Sequence, residues 1–446
     1  MPDDPRATIG RRDGALVTAA GIFSALVGFV GLTFAVNALS VVDSTTFQLF
    51  WAALFFSFGL LTGLAMETTR AVAAAPESPP TTTGSIEAET VTGRPRPESG
   101  PQAGHRLVVT KIVIPAVLTV VVVGAVSAPL WRRALSPGAD QPTWILAGAV
   151  LIGAIGYCVH AILTGSLMGA RRWRTYAVAS LAESSLRLVA LVVCLAVRGG
   201  LIGYVCATAV AEFAWIGVLA LSRPARGAFR LALDVDARRF ARRVASAVAG
   251  QGASALLVVG FPLLLSLTTP AVVMTTASPL LFSLALTRTP LMVPLTALQG
   301  VAVSHFTRRR GHGLGQAGRI LGLVGLIGTL GAGLAWLIGP WLLDLIAPGY
   351  VLSGLTLAGL TMGATAIAEL TLTGVLCQSD TAYRGYLLGW LIAAMAVIVV
   401  LLCPLDLAPR TVTALIAGPV LGCLAHLISL LMKSKPHATL GAKPQS

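Results

Sequence analysis

Charge is the scarcest commodity in this chain. Only 11% of its 446 residues are charged, against about 25% in soluble domains. Acidic residues are rarest, 18 Asp and Glu beside 32 Lys and Arg. Histidine is sparser still, six in all: His160, His305 and His426 stand in apolar runs, with no second histidine four residues away and no carboxylate to complete a ligand set. That pattern argues against a metal centre. The six cysteines (Cys158, Cys194, Cys206, Cys377, Cys403, Cys423) lack the paired spacing of zinc or redox motifs and read as small buried hydrophobes. There is no Gly-x-Ser-x-Gly and no phosphate-binding glycine loop, which removes the common hydrolase and nucleotide signatures.

What fills the chain instead is apolar sequence. Hydrophobic residues make up 55% and the mean hydropathy is +0.82. About twelve segments are each long enough to cross a hydrocarbon core of about 30 Å. Their expected positions are 15–38, 46–73, 110–131, 143–169, 175–197 and 201–221, then 243–267, 274–305, 318–345, 353–377, 384–403 and 411–432. The first run is too long for a cleavable leader and reads as a retained helix. The expected fold is therefore an all-α polytopic membrane protein with two pseudo-symmetric six-helix lobes.

The net charge of +14 reports topology. With the N-terminus in the cytoplasm, the inner side receives Arg6, Arg11, Arg12, Arg70, Arg171, Arg172, Arg174 and the mid-chain cluster Arg223, Arg226, Arg230, Arg238, Arg239, Arg242 and Arg243. The outer side keeps only Arg132, Arg133, Arg198 and Arg410. This is the positive-inside pattern. It assigns both termini to the cytoplasm and the protein to the cytoplasmic membrane, and it makes nucleic acid an unsuitable partner. The expected organisation is a cytoplasmic N-terminus over 1–14, a first lobe over 15–221, a basic amphipathic linker over 222–242, a second lobe over 243–432 and a cytoplasmic tail over 433–446. Within the first lobe, 75–106 is rich in Pro, Thr, Gly and Glu and reads as a disordered loop. Leu163-Thr-Gly-Ser-Leu ends the fourth span and Leu372-Thr-Gly-Val-Leu the tenth, a faint echo six spans apart that chance would also produce. Pro115, Pro262, Pro279, Pro290, Pro294 and Pro419 interrupt spans. Their crowding in the seventh and eighth fits either moving gate helices or static packing.

Charges inside spans are expensive and need a reason. Glu67 and Arg70 lie three apart, and Glu183 and Arg187 four apart, so each pair shares a helix face. Arg288 has no carboxylate within four residues, and Glu212 and Glu369 have no local cation. Arg288 fits an anion-binding role or a pair with Glu212 or Glu369. The carboxylates of Glu183, Glu212, Glu369 and Glu67 fit charge balance, proton loading or simple hydrogen bonding.

Four stretches carry a family resemblance: Leu64-Ala-Met-Glu-Thr-Thr-Arg-Ala-Val-Ala, Leu163-Thr-Gly-Ser-Leu-Met-Gly-Ala-Arg-Arg-Trp-Arg-Thr-Tyr-Ala, Leu286-Thr-Arg-Thr-Pro-Leu and Leu298-Gln-Gly-Val-Ala-Val-Ser-His-Phe. Together they resemble actinobacterial polysaccharide-biosynthesis membrane proteins of the multidrug/oligosaccharidyl-lipid/polysaccharide exporter superfamily. The resemblance implies two lobes about a central cavity, and flipping of polyprenyl-pyrophosphate-linked sugars by alternating access. It implies that Arg288 takes the position of a cavity arginine and that Arg70 matches the basic residue closing the second span. This chain departs from the pattern in having no basic residue in its first span, and Ser304-His305 where the family often has Pro.

The expected function is thus a non-enzymatic flippase for cell-envelope polysaccharide synthesis, with Arg288, Arg187 and Arg70 on the phosphate of a lipid-linked sugar. No cofactor is expected; coupling to protons, sodium or membrane potential stays open. Expected partners are membrane lipids and glycosyltransferases or a polymerase of the same pathway. The rivals are an ion-coupled exporter of small amphipathic molecules, a major-facilitator transporter, a non-transporting scaffold and a polyprenyl-linked glycosyltransferase. The major-facilitator reading is weakened by the missing Gly-x-x-x-Asp-Arg loop after the second span. The last needs acidic outer loops, and only Asp43, Asp140, Asp344 and Asp406 are there.

Overall fold

The computed structural model describes residues 10–75, 107–136, 142–289, 313–379 and 383–434. Outside them lie nearly all of the 75–106 loop, most of the N-terminal and C-terminal tails, the second half of the expected eighth span with Pro290 and Pro294, and the Leu298 to Phe306 stretch. Among the described residues ten helices are long and apolar enough to cross a membrane, and a bent pair makes up to eleven.

The first lobe runs α1 (Arg11–Ala38), α2 (Val41–Ala73), α3 (Val109–Ala134), α4 (Thr143–Gly169), α5 (Trp173–Ala196) and α6 (Gly200–Val210). A tight turn over Ala211–Phe213 joins α6 to α7 (Ala214–Leu221). The α1–α2 hairpin is short because Ser40 caps α2: its hydroxyl accepts from the Asp43 N–H at 3.1 Å and donates to the Asp43 carboxylate at 2.9 Å. Between α5 and α6 the chain turns through left-handed backbone at Arg198 and Gly200, a conformation glycine adopts without steric cost.

Between the lobes, 222–242 forms a short helix α8 (Arg223–Ala228), then an extended stretch, then the start of α9 (Ala237–Val258). The extended stretch bonds to the entry of α3: the Val109 N–H donates to Leu231 O at 3.0 Å and the Leu233 N–H to Leu107 O at 2.8 Å. The connection is thereby tied to the first lobe.

The second lobe continues with α10 (Phe261–Leu267), α11 (Ala271–Met274) and α12 (278–289). It ends with α13 (Gly313–Ile346), α14 (Gly354–Ser379), α15 (Tyr383–Leu401) and α16 (Leu407–Ser434). The expected seventh span is not one straight helix. It is α9 and α10, bent by 72°. Pro262 sits in the first turn of α10; it has no N–H for the carbonyl four residues back, so the ladder stops there.

Each lobe is organised on one central helix. In the first it is α4, packed on α2, α3 and α5; in the second it is α14, packed on α13, α15 and α16. The echo motifs close these two helices. Gly165 lets α4 approach α2, since a Cβ there would stand 2.5 Å from Ala65 O. The lobes meet along α2 and α9. At Gly63 an added Cβ would fall 2.6 Å from Val248 N and 2.7 Å from the Ala247 carbonyl carbon, so the helix backbones touch, as small residues permit in an apolar solvent.

Candidate functional site

The charged residues singled out above fall into four separate places, the last of them Glu369 alone. The first is the middle of the first lobe. Glu183 and Arg187 share a face of α5, and Glu212 is aimed at them by the tight turn between α6 and α7. One Arg187 nitrogen donates to both acids, Glu183 and Glu212, the latter at 2.5 Å. The Arg187 side chain is 4% exposed and that of Glu212 0%. The Ser184 hydroxyl, itself bonded to Ser24 at 2.5 Å, reaches Glu183 at 3.2 Å. The guanidinium lies over the Phe55 ring at 4.9 Å and near Trp51 at 5.9 Å. Glu212 therefore does not pair with Arg288, as one reading of the sequence allowed; Arg187 holds it. A signal for this was present. Arg187 and Glu212 stand at similar distances from the α5–α6 turn, so antiparallel packing brings them to the same depth.

The second place is the end of α2 on the side of the 222–242 connection. Arg70 donates to Glu67 at 2.6 Å and to Asp234 at 2.9 and 3.0 Å. Arg243 of α9 approaches Glu67 at 3.9 Å and Asp234 at 3.8 Å. Two cations and two acids balance across the lobe seam. Asp234 and Arg243 were not among the sequence candidates, because only the chain path over 231–243 brings them to α2.

The third is Arg288, about 15 Å along α12 from its start at the helical rise per residue. It is 8% exposed. It donates to Val258 O at 2.6 Å, with Leu257 O at 3.5 Å. Val258 O is the carbonyl that Pro262 leaves without its usual donor, so Arg288 closes the gap at the α9–α10 break. Its Nε and Nη2 are buried without a hydrogen-bond partner among the described residues. Its guanidinium stands 5.6 Å from the Phe261 ring.

Glu369 is half-buried on α14 and faces α13 beside Gly325. It has no ion-pair partner among the described residues. Arg288 and Glu369 are not joined. His426 is a satisfied core residue, bonded to Thr373 Oγ1 and Tyr386 O at 3.0 Å each. No group of three metal-ligating side chains occurs among the described residues.

A polar cluster that the sequence did not reveal seals the lobe seam at the opposite end of α2. Ser44, Gln48, Ser278 and Tyr350 are all buried. The Ser278 hydroxyl lies 2.8 Å from Ser44, 2.6 Å from Gln48 and 2.7 Å from Tyr350. Three chain segments far apart in sequence meet there.

The described residues, many helical spans in two lobes joined along a glycine-lined seam, have the architecture of a membrane transporter fold. The solved structures agree on the fold. The chain is similar over 94% of its length to an inward-facing multidrug resistance MATE family transporter of the MOP superfamily, with TM-score 0.65, 14% identity and 98% of that chain covered. It is likewise similar over 94% of its length to the lipid II flippase MurJ in an inward closed conformation, with TM-score 0.67, 12% identity and 87% of that chain covered. No family model matches the chain. It is 34% identical over 432 residues to the uncharacterized protein Rv1510 of Mycobacterium tuberculosis, covering 96% of this chain and 93% of that one. The chain belongs to the same family as that mycobacterial protein.

Proposed function

We propose that this protein moves a phosphate-bearing lipid, a polyprenyl-linked sugar in particular, across the cytoplasmic membrane by alternating access of its two lobes. The observation that carries the reading is Arg288: a buried guanidinium that holds backbone carbonyl with one nitrogen and, among the described residues, keeps two others without a partner. Such donors suit a phosphate, which guanidinium binds through a planar fork. The fold shared with a lipid II flippase supports a lipid substrate. Arg70 and Arg187, already paired with acids, serve this reading as structural or switching charges. No bond in the substrate changes, and glycosyltransferases or a polymerase of the envelope would supply and consume it.

A second reading, an ion-coupled exporter of small amphipathic molecules, is favoured by Glu369 and by the Arg187 cluster. One guanidinium facing two carboxylates is electrically balanced only with a proton on one acid. Proton movement through these groups would drive either substrate.

The test is translocation in proteoliposomes by the purified full-length protein, with a fluorescent polyprenyl-pyrophosphate sugar and a membrane-impermeant quencher. Arg288→Ala should remain folded and lose at least about tenfold in rate, the value of one strong charge-assisted contact. Normal flipping by a stable Arg288→Ala protein sinks the assignment. Export of small cations, with no flipping by the unaltered protein, favours the second reading.

A further inference from the structure

The outer face carries four arginines by the charge asymmetry, and three of them converge on one place. A crevice of about 540 Å³ opens between the end of α3 and the α10–α11 region, so that both lobes contribute to its walls. Arg132 and Arg133 line it from the first lobe, with Thr143; Ser266 and Thr269 line it from the second. Arg410 does not line the crevice. It donates to Thr269 Oγ1 at 2.7 Å and to Leu401 O at 3.2 Å, which fixes the Thr269 side chain. The Ser266 hydroxyl donates to Ala134 O at 2.8 Å, tying the two walls together.

Among the described residues the charge here is not neutralised. Among the described residues no carboxylate lines the crevice, and neither Arg132 nor Arg133 has an ion-pair partner. Arg132 stacks 3.8 Å from the centre of the Trp144 ring and its Nε approaches Thr143 Oγ1 at 3.4 Å. Arg133 is exposed. A helix C-terminus accounts for one favourable cation. It does not account for two that sit in a hydroxyl-lined crevice against the positive-inside trend. Two further arginine-lined pockets differ: one has a single arginine, Arg198, and the other includes Asp13, which pairs with Arg174 at 3.4 Å.

The ligand's second half is indicated by α3 itself. Val122, Val126 and Leu130 are 60%, 78% and 52% exposed, and Val126, Leu130 and Arg133 follow one another on one helix face. An apolar stripe facing lipid thus leads to the arginine pair. We propose that this crevice binds the phosphate headgroup of a lipid at the outer face, its chain lying along α3, with Arg132 and Arg133 as the cationic contacts and Thr143, Ser266 and Thr269 as neutral ones. The site is distinct from Arg288 and does not depend on the transport reading.

The experiment uses the full-length protein in dodecyl maltoside, a detergent without phosphate, and follows tryptophan fluorescence on addition of farnesyl phosphate, farnesol or inorganic phosphate. Farnesyl phosphate should bind with a signal that Trp144→Phe removes. Arg132→Gln/Arg133→Gln should weaken that binding at least about tenfold, Arg132→Lys/Arg133→Lys should restore most of it, and Arg198→Gln, at an exposed arginine outside the crevice, should leave it unchanged. Equal binding of inorganic phosphate, lost in the same double Gln variant, keeps the phosphate site and identifies a free anion as its occupant. Three outcomes overturn the proposal: farnesol binding as well as farnesyl phosphate, binding that survives the double Gln substitution, or binding that Arg198→Gln weakens as much as the double Gln variant does. If Arg288→Ala proves transport-competent, only the transport reading falls.

Discussion

Arg187 and Arg288 are two buried arginines, one in each lobe, and they are held in opposite ways. Arg187 is gripped by two carboxylates from two helices. Among the described residues Arg288 has only backbone carbonyls, at the place where Pro262 breaks the seventh span. The first arrangement uses charge to hold α5 against the α6–α7 turn. The second uses a charge to satisfy a defect in a helix, and leaves part of that charge unspent. A buried ion cluster is mainly a structural commitment, since removing one member strands the others. A cation on carbonyls can exchange them for an anion without stranding a second ion.

The largest test of this contrast is Arg187→Met. It leaves Glu183 and Glu212 buried without a cation, which should cost about 3–5 kcal/mol. Thermal unfolding in detergent, followed by size-exclusion of the heated sample, reads the loss. The triple variant Glu183→Gln/Arg187→Met/Glu212→Gln removes the stranded charges together and should recover most of that stability. A single variant as stable as the unaltered protein, or a triple variant less stable than the single, would break the contrast.

How much of this was legible in the sequence depends on what lipid does to the hydrophobic signal. Long apolar runs make helices obvious, because a spanning backbone must satisfy its own hydrogen bonds. They say little about which face meets protein, since lipid and core are equally apolar. The spans of α13 and α14 have hydropathies of 2.0 and 1.5, yet 11% of one and 83% of the other is buried. Local charge pairs were readable: Glu67 with Arg70 and Glu183 with Arg187 follow from helical spacing alone. Contacts between elements were not. The bond from Arg288 to Val258 needs both the Pro262 break and the packing of α12 beside it. The Ser44–Gln48–Ser278–Tyr350 cluster needs three elements to converge. The pair of Arg187 with Glu212 lies between these cases, since hairpin depth predicts it once α5 and α6 are known to be adjacent.

Arg288→Met sharpens the comparison from the other side. The lost charge-assisted bond to Val258 O is worth about 1.5–3 kcal/mol, but the substitution also removes a partly unpaired buried cation, which offsets some of it. The net loss should stay at or below about 2 kcal/mol, smaller than for Arg187→Met. The same unfolding measurement ranks the two. A larger loss for Arg288→Met would mean that the guanidinium is a structural brace for the α9–α10 break, and would reverse the roles argued for the two lobes.

The smallest expected effect concerns the other end of α9, where the cap is a carboxylate and titrates. Asp236 accepts the Arg239 N–H at 2.9 Å, and this bond to backbone holds its carboxyl below the usual aspartate range. The folded group thus releases its proton more readily than the unfolded one. Its contribution is complete above the ordinary aspartate value and is lost as pH falls through the lower folded value. Amide exchange at Arg239, corrected for the intrinsic effect of pH, should show protection declining over that acid window. Asp236→Asn keeps a capping oxygen and should flatten the pH profile without moving the Arg288 end of the helix. A profile unchanged by the substitution would place the acid sensitivity elsewhere.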